Sequence, residues 1–232
     1  MQEQYSRTVG LIGEAAFNRL RAAHVAVFGI GGVGGHAAEA LARVGVGALT
    51  LVDHDTVSES NLNRQIIALH STLGMPKVEV MAARIRDIDA TIKVIPRRML
   101  FLPENADEFD FSAYDYIVDA IDNVTAKIAL YRRAAEVGVP VIAAMGTGGK
   151  LDPTALRVTD IHKTEGCPLA RAVRIRCRQE GIKKLKVVYS PEPAKGAVTA
   201  ENGRHAPASL SIVPATAGLL MAAEVIKALT KE

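Results

Sequence analysis

The sequence predicts an α/β fold with a doubly wound, mainly parallel sheet, and three observations carry that expectation. The first is a strand–turn–helix–strand unit ending at Asp53, in which an apolar run over 25–30 meets Gly29, Gly31, Gly32, Gly34 and Gly35. The second is alternation: short β-branched runs at 91–95, 116–121 and 140–144 are separated by stretches with helical periodicity. The third is that these runs end in acid or glycine, at Asp53, at Asp119 with Asp122, and at Gly146. Open α/β sheets collect their ligands at such strand ends.

Taken in order, residues 1–23 read as a short lead-in and an amphipathic helix with Leu11, Ala15 and Leu20 on one side, and Arg7 in an exposed arm. Residues 25–53 supply a strand, a glycine turn, a helix over 36–43 and a second strand over 49–52. After a polar loop at 54–65, Gly74-Met75-Pro76-Lys77 marks a helix start, and Val78, Met81, Ile85 and Ile88 give its period. The third strand is 91–95, the stretch 105–113 is acidic and loop-like, and the fourth strand is 116–121. A helix over 124–137 stops at Gly138, and the fifth strand, 140–144, runs into the glycine-rich 146–149. The character changes after Lys150, so residues 1–150 are expected to form a nucleotide-binding domain of Rossmann-like design, and 151–232 an extension packed on the same sheet. In that extension two strand-like runs, 156–161 and 186–190, flank a basic helix over 170–180. Residues 191–208 lack periodicity and are rich in proline and glycine, which predicts a mobile loop. A helix over 216–229 closes the chain. The apolar stretch 210–229 is interrupted by Ser211, Pro214, Glu224 and Lys227, which favours a docked helix over a membrane span.

Composition bounds the rest. A chain of 232 residues, 49% hydrophobic and 23% charged, can bury one sizeable core and should be soluble. Its net charge of +3 permits a nucleic-acid partner without demanding one. The two cysteines, Cys167 and Cys177, exclude a disulfide scaffold and a four-cysteine zinc site, and they suit a reducing compartment such as the cytoplasm. The opening MQEQYSRTVG has no apolar core, so no secretory signal is expected.

The chemistry is concentrated behind the second strand. Glycine lets the backbone turn sharply and lets a phosphate approach without meeting a Cβ. The helix that opens there presents unpaired N–H groups to an anion, and Asp53, roughly 20 residues on, can accept from a ribose hydroxyl. Nicotinamide and flavin dehydrogenases begin in the same way. A dinucleotide site, however, has no use for Asp55, Ser60, Asn61, Asn63, Arg64 and Gln65 directly behind its second strand. A site that holds a triphosphate and releases pyrophosphate does, because fixed cations stabilise the charge that builds on the bridging oxygens. In the second half, Arg171, Arg174, Arg176, Arg178, Lys183, Lys184 and Lys186 stand against one acid, Glu180. That excess suits nucleic-acid phosphates, although a solvated face can look the same. With Tyr189 the nearest aromatic, base stacking should contribute little. Cys167 and Cys177 fit no zinc spacing and read as unrelated thiols, and His36 reads as a half-buried residue at the glycine-rich helix start.

The motifs GIGGVG at 29–34, DHDTVSESNLNRQ at 53–65, GMPKVEV at 74–80 and DAIDN at 119–123 together resemble the E1-like adenylating superfamily that includes the ThiF and MoeB proteins. The resemblance implies an ATP site in which Gly31, within the set Gly29, Gly31, Gly32 and Gly34, approaches the phosphates and Asp53 holds the ribose. Asn61, Arg64 and Lys77 would contact the phosphate chain, Asp55, Ser60 and Asn123 would complete the nucleotide set, and Asp122 would hold Mg²⁺. It also implies a homodimer in which Arg7 reaches the partner's ATP site. Arg64, Lys77, Asp122 and Arg7 would be the catalytic groups.

The second half separates branches of the superfamily. Neither the paired C-x-x-C zinc site nor the cysteine segment common in activators of sulfur carriers is present. GTGGKLDPTALRVTDIHKT at 146–164, CPLARAVRIR at 167–176 and YSPEP at 189–193 instead resemble the tRNA threonylcarbamoyladenosine dehydratase (TcdA/CsdL) branch. That branch implies ATP-dependent cyclisation of N6-threonylcarbamoyladenosine next to the tRNA anticodon. The threonine carboxylate is adenylated and closed by the modification's own nitrogen, so no enzyme cysteine is needed. Arg171, Arg174, Arg178, Lys183 and Lys184 become the expected tRNA contacts, and a sulfur-relay protein is a further partner. Cys167 stands where a polar residue would be expected, and no catalytic role is carried onto it. The alternative is an adenylating enzyme for a ubiquitin-like sulfur-carrier protein, whose ATP half would look the same.

Overall fold

The computed structural model describes residues 3–196, 198–201 and 204–231. Helix α1 (Ser6–Ala22) leads into β1 (His24–Phe28), α2 (Gly34–Arg43), β2 (Ala48–Val52), α3 (Lys77–Ile88) and β3 (Lys93–Arg97). There follow β4 (Tyr116–Asp119), α4 (Val124–Val137), β5 (Val141–Ala144), β6 (Arg157–Asp160), α5 (Pro168–Gln179) and β7 (Lys186–Tyr189). The chain ends with β8 (Val198–Glu201), β9 (Arg204–Pro207) and α6 (Ile212–Thr230).

Seven strands form one sheet in the order β3-β2-β1-β4-β5-β7-β6. Every pairing is parallel except β6 with β7, so the antiparallel strands of the second half extend the parallel sheet at one edge. Alternation along β1 sorts the core into two layers. Val25 and Val27 face a cluster built with α2, α3 and α6, whereas Ala26 and Phe28 face α4, α5 and the 101–114 segment. Because β1 lies between β2 and β4, the winding reverses there, and a crevice opens at their carboxyl ends.

Three expectations need correction. Helix α1 is broken at Gly13 (φ 78°), so no single apolar stripe runs its length. Ala16, Phe17 and Leu20 are buried, but Ala15 is exposed and Leu11 is 85% exposed. The acidic 105–113 stretch is not a plain surface loop. Phe109 and Phe111, with Phe101, bring their ring centroids to 5.5, 6.2 and 5.1 Å from Phe28 and close one face of the sheet. The segment 191–208 carries an antiparallel hairpin, β8 with β9, instead of irregular chain throughout. Its signal lay in Asn202-Gly203, the dipeptide that favours two-residue hairpin turns.

Helix α6 is long and apolar enough to cross a membrane by length and composition alone. It is docked, with Val213, Ala217, Met221 and Val225 buried against the sheet and its neighbouring helices. Lys186 from β7 donates to Glu224 on α6 at 2.7 Å. That bond, opposed by partial burial and helped by Lys227, holds the Glu224 carboxyl below its ordinary value of 4.5. A depressed carboxylate contributes stability that is present above its unfolded pKa and lost as pH falls through the folded one. Glu224→Gln should therefore lower stability by up to about 1 kcal/mol at pH 7. Urea melts should show the difference from wild type shrinking as pH falls below 4.5 and through the depressed folded value.

Candidate active site

The crevice at the ends of β1, β2 and β4 is a cleft of about 540 Å³, within the range of small-molecule sites. Its floor is the glycine turn. Gly29 has φ +89°, and a Cβ there would stand 2.6 Å from the Ala120 carbonyl oxygen, so the turns after β1 and β4 lie backbone to backbone. Gly31 faces open space, where the nearest atom to an added Cβ is Gln65 Nε2 at 3.9 Å. Asp53, ending β2, ties the turn to the next loop: one carboxylate oxygen accepts from Ile30 N–H at 2.6 Å, the other from Asp55 N–H at 2.9 Å.

The polar wall comes from the loop after β2 and the start of α3. Lys77, 5% exposed, donates to Asp55 at 2.9 Å, and Asp55 also lies 3.2 Å from His54 Nε2. Buried Asn61 accepts from Ser58 N–H at 3.2 Å. Arg64 is held by the Ser60 carbonyl at 2.8 Å and the Asn63 side chain at 3.0 Å. It stands between the cleft and an adjoining hollow of about 140 Å³ lined by Gly32, Thr147, Gly148 and Pro207. Asp122 also lines the cleft, is exposed, and has no hydrogen-bond or ion-pair partner among the described residues.

The cleft thus collects Gly29, Gly31, Asp53, Asp55, Asn61, Arg64, Lys77 and Asp122 on one surface, with Gly32 in the adjoining hollow. Three expected residues stand elsewhere. Gly34 is a packing residue, since a Cβ there would lie 1.8 Å from the Gly29 carbonyl oxygen. Ser60 turns its hydroxyl to Ser58 at 2.9 Å. Asn123 accepts from Ala126 N–H at 3.0 Å and so caps α4, which leaves Asp122 out of the cap. Arg7 is exposed in the first turn of α1 and lines neither cavity of its own chain.

A carboxylate with no protein partner in a cleft that also holds fixed cations suits Mg²⁺, which takes one or two carboxylates and leaves its other places to phosphate and water. Asp122 is such a carboxylate, and Asp53 and Asp55 line the same cleft. The apolar wall was not foreseen: Met99, Leu100 and Phe101 join Phe28 and Val52 as a slot suited to a flat base. Its signal was the short Met99-Leu100-Phe101 run outside any periodic element. Gln65 was noted only as part of its segment, and its buried Oε1 has no partner among the described residues. Pro207, from the hairpin, lines both cavities.

Away from the cleft, the basic run is divided. Arg174 is committed to the Thr164 carbonyl and hydroxyl at 2.7 and 2.6 Å, and Arg176 lies 3.8 Å from Glu180. Arg171, Arg178, Lys183 and Lys184 are exposed. Both thiols are buried. Cys167 accepts from Ala170 N–H at the start of α5, and burial pushes the Cys177 thiol up to about 11, which suits packing and not nucleophilic attack. His36 Nδ1 donates to the Gly32 carbonyl at 2.8 Å, a contact within its own turn.

Comparison with known proteins fits this geometry. The ThiF family model matches residues 5–232. The chain is 41% identical to a tRNA threonylcarbamoyladenosine dehydratase of Bacillus subtilis, over 100% of this chain and 96% of that one. It is 42% identical to the Escherichia coli protein of the same name, over 77% of this chain and 67% of that one. The crystal structure of E. coli TcdA in complex with ATP superposes with a TM-score of 0.91 at 36% identity, covering 99% of this chain and 95% of that one. With a family match along nearly its whole length and relatives this similar, the chain belongs to the ThiF family.

Proposed function

We propose that the protein is an ATP-dependent tRNA threonylcarbamoyladenosine dehydratase. The observation that carries this reading is one cleft lined by Arg64, Lys77 and Asp122 together with the open face of Gly31, in a chain similar to dehydratases over its full length. The threonine carboxylate of N6-threonylcarbamoyladenosine attacks the α-phosphorus of ATP, forming a mixed anhydride and expelling pyrophosphate. The carbamoyl nitrogen then attacks the activated carbonyl, loses its proton, and expels AMP. The product is short of one water. Both steps bring anions together, so the protein's work is placement and neutralisation. Arg64 and Lys77 face the phosphates, Asp53 takes the ribose, and Met99–Phe101 line the base slot. Asp122 holds Mg²⁺, which supplies charge neutralisation on the phosphates. A homodimer, with Arg7 reaching the partner's cleft, completes the site, and the enzyme works in the cytoplasm. Residues 151–232 act as the tRNA-facing extension of the 1–150 adenylation domain, and a sulfur-relay protein can dock beside it.

The test is mass analysis of nucleosides from tRNA incubated with enzyme, ATP and Mg²⁺. Loss of one water from the threonylcarbamoyl adenosine, with one AMP and one pyrophosphate per turnover, is the expected result. Unchanged tRNA together with exchange that depends on a ubiquitin-like carrier protein would replace this reading with carrier activation.

The divided basic run makes a second prediction. Cys167, the cap of α5, lies 3.5 Å from the Cβ position of Gly146, so Arg171 sits toward the cleft edge of the sheet. Lys183 and Lys184 precede β7, whose Lys186 pairs with Ile142 near the start of β5, at the opposite edge. Arg171→Ala should weaken tRNA binding and reduce its salt slope by about 1. Replacing Lys183 and Lys184 together should do less. Filter binding over a salt series checks both.

A further inference from the structure

Asp119 ends β4 and opens the DAIDN motif but takes no place on the cleft wall. It lies in a fully buried cluster instead. Asp119 and Lys127 are both 0% exposed, and Lys127 Nζ donates to Asp119 Oδ2 at 2.8 Å and to the Ala144 carbonyl at 2.9 Å. The Tyr131 hydroxyl donates to the same carboxylate oxygen at 2.5 Å, and the other oxygen accepts from Ile121 N–H at 3.0 Å. Burial first, and the Asp119 charge second, push the Tyr131 phenol well above its ordinary range, so it stays a donor.

The location matters more than the charges. The β4–β5 ladder runs only to Asp119 opposite Ala143, after which the strands part. The chain after β4 turns into the cleft through Ala120, Ile121 and Asp122, and the chain after β5 runs to Thr147 and Gly148 beside the adjoining hollow. Lys127 joins the two where the ladder stops. A buried ion pair is a poor device for stability, since desolvation offsets its attraction and a well-packed apolar pair of similar volume often does as well. Fixed direction is what this one adds. The turn it holds has no slack, because the Ala120 carbonyl oxygen stands 2.6 Å from where a Cβ on Gly29 would be.

We infer that Asp119 and Lys127 are positioning residues for the nucleotide step: their buried bridge sets the Ala120–Asp122 turn against the glycine turn and pins it to the end of β5. The inference rests on the reading of the cleft as an ATP site, not on which carboxylate is activated there.

The test pairs Asp119→Asn with Lys127→Met, which removes both charges together, and uses Tyr131→Phe as a milder second variant. The readouts are the thermal midpoint, ATP affinity by titration calorimetry, and the Mg²⁺ dependence of ATP–pyrophosphate exchange. The double variant should stay folded and bind ATP on the order of tenfold more weakly, with a raised Mg²⁺ requirement, as losses behind a binding group do. Tyr131→Phe should move both readouts the same way by about threefold, with its midpoint near wild type. A folded double variant with wild-type ATP affinity and Mg²⁺ dependence would overturn the inference. If the double variant does not fold, wild-type values for Tyr131→Phe overturn it equally. Wild-type protein that binds ATP but leaves tRNA unchanged would count against the dehydratase reading alone.

Discussion

Lys77→Met should lower the rate of carboxylate activation by about 10²–10³-fold and leave the fold nearly untouched, the range seen when one fixed donor is removed from developing charge. Lys77 opens α3, a position where a cation opposes the helix dipole, and it is 5% exposed. Such a placement is unfavourable for the helix by itself. Asp55 offsets part of the cost at 2.9 Å, and the ammonium reaches the same wall as Gly31 and Arg64. Methionine keeps the straight stem and its packing but not the charge. The carboxylate it leaves behind is 43% exposed on Asp55, so water can solvate it and the stability cost should stay near 1 kcal/mol. Pyrophosphate exchange and a thermal melt on the same preparation separate the two effects. An exchange rate within tenfold of wild type would remove Lys77 from the phosphate site.

That wall was legible in the sequence because it depends on short-range order. The βαβ unit with its glycines, and the SNLNRQ segment just behind β2, place charge and turn within one supersecondary motif, where spacing alone decides proximity. Asp122 was legible for a similar reason, at the end of a strand. What failed was long-range or hidden by composition. The 105–113 stretch looked solvated because its acids mask Phe109 and Phe111, whose burial depends on Phe28 from a distant strand. Met99, Leu100 and Phe101 belong to no periodic element, so periodicity could not place them on the cleft lining. Ser60 and Asn123 have the side chains of nucleotide ligands, but the same side chains satisfy local turns and caps, and local geometry won. In the basic run, Arg174 counted as a free cation until Thr164, ten residues earlier, came within reach.

The glycine turn itself should divide into two roles that the sequence pattern shows as one. Gly34→Ala puts a Cβ 1.8 Å from the Gly29 carbonyl oxygen and 3.2 Å from Ala120 Cβ. The nearer neighbour is backbone, so the helix start has to lift away from the turn. The loss should be about 3 kcal/mol or more, seen as a thermal midpoint lower by about 6–12 °C, with ATP affinity falling because the turn has moved. Gly31→Ala meets no protein atom closer than 3.9 Å, and the added methyl faces the cleft. Its midpoint should stay close to wild type while ATP binding drops by at least tenfold, since the methyl occupies the space a phosphate needs. The two substitutions add the same atom three residues apart, one against backbone and one against ligand. If Gly31→Ala binds ATP as wild type does, the phosphates do not lie over Gly31, and the roles given to Arg64 and Lys77 fall with that placement.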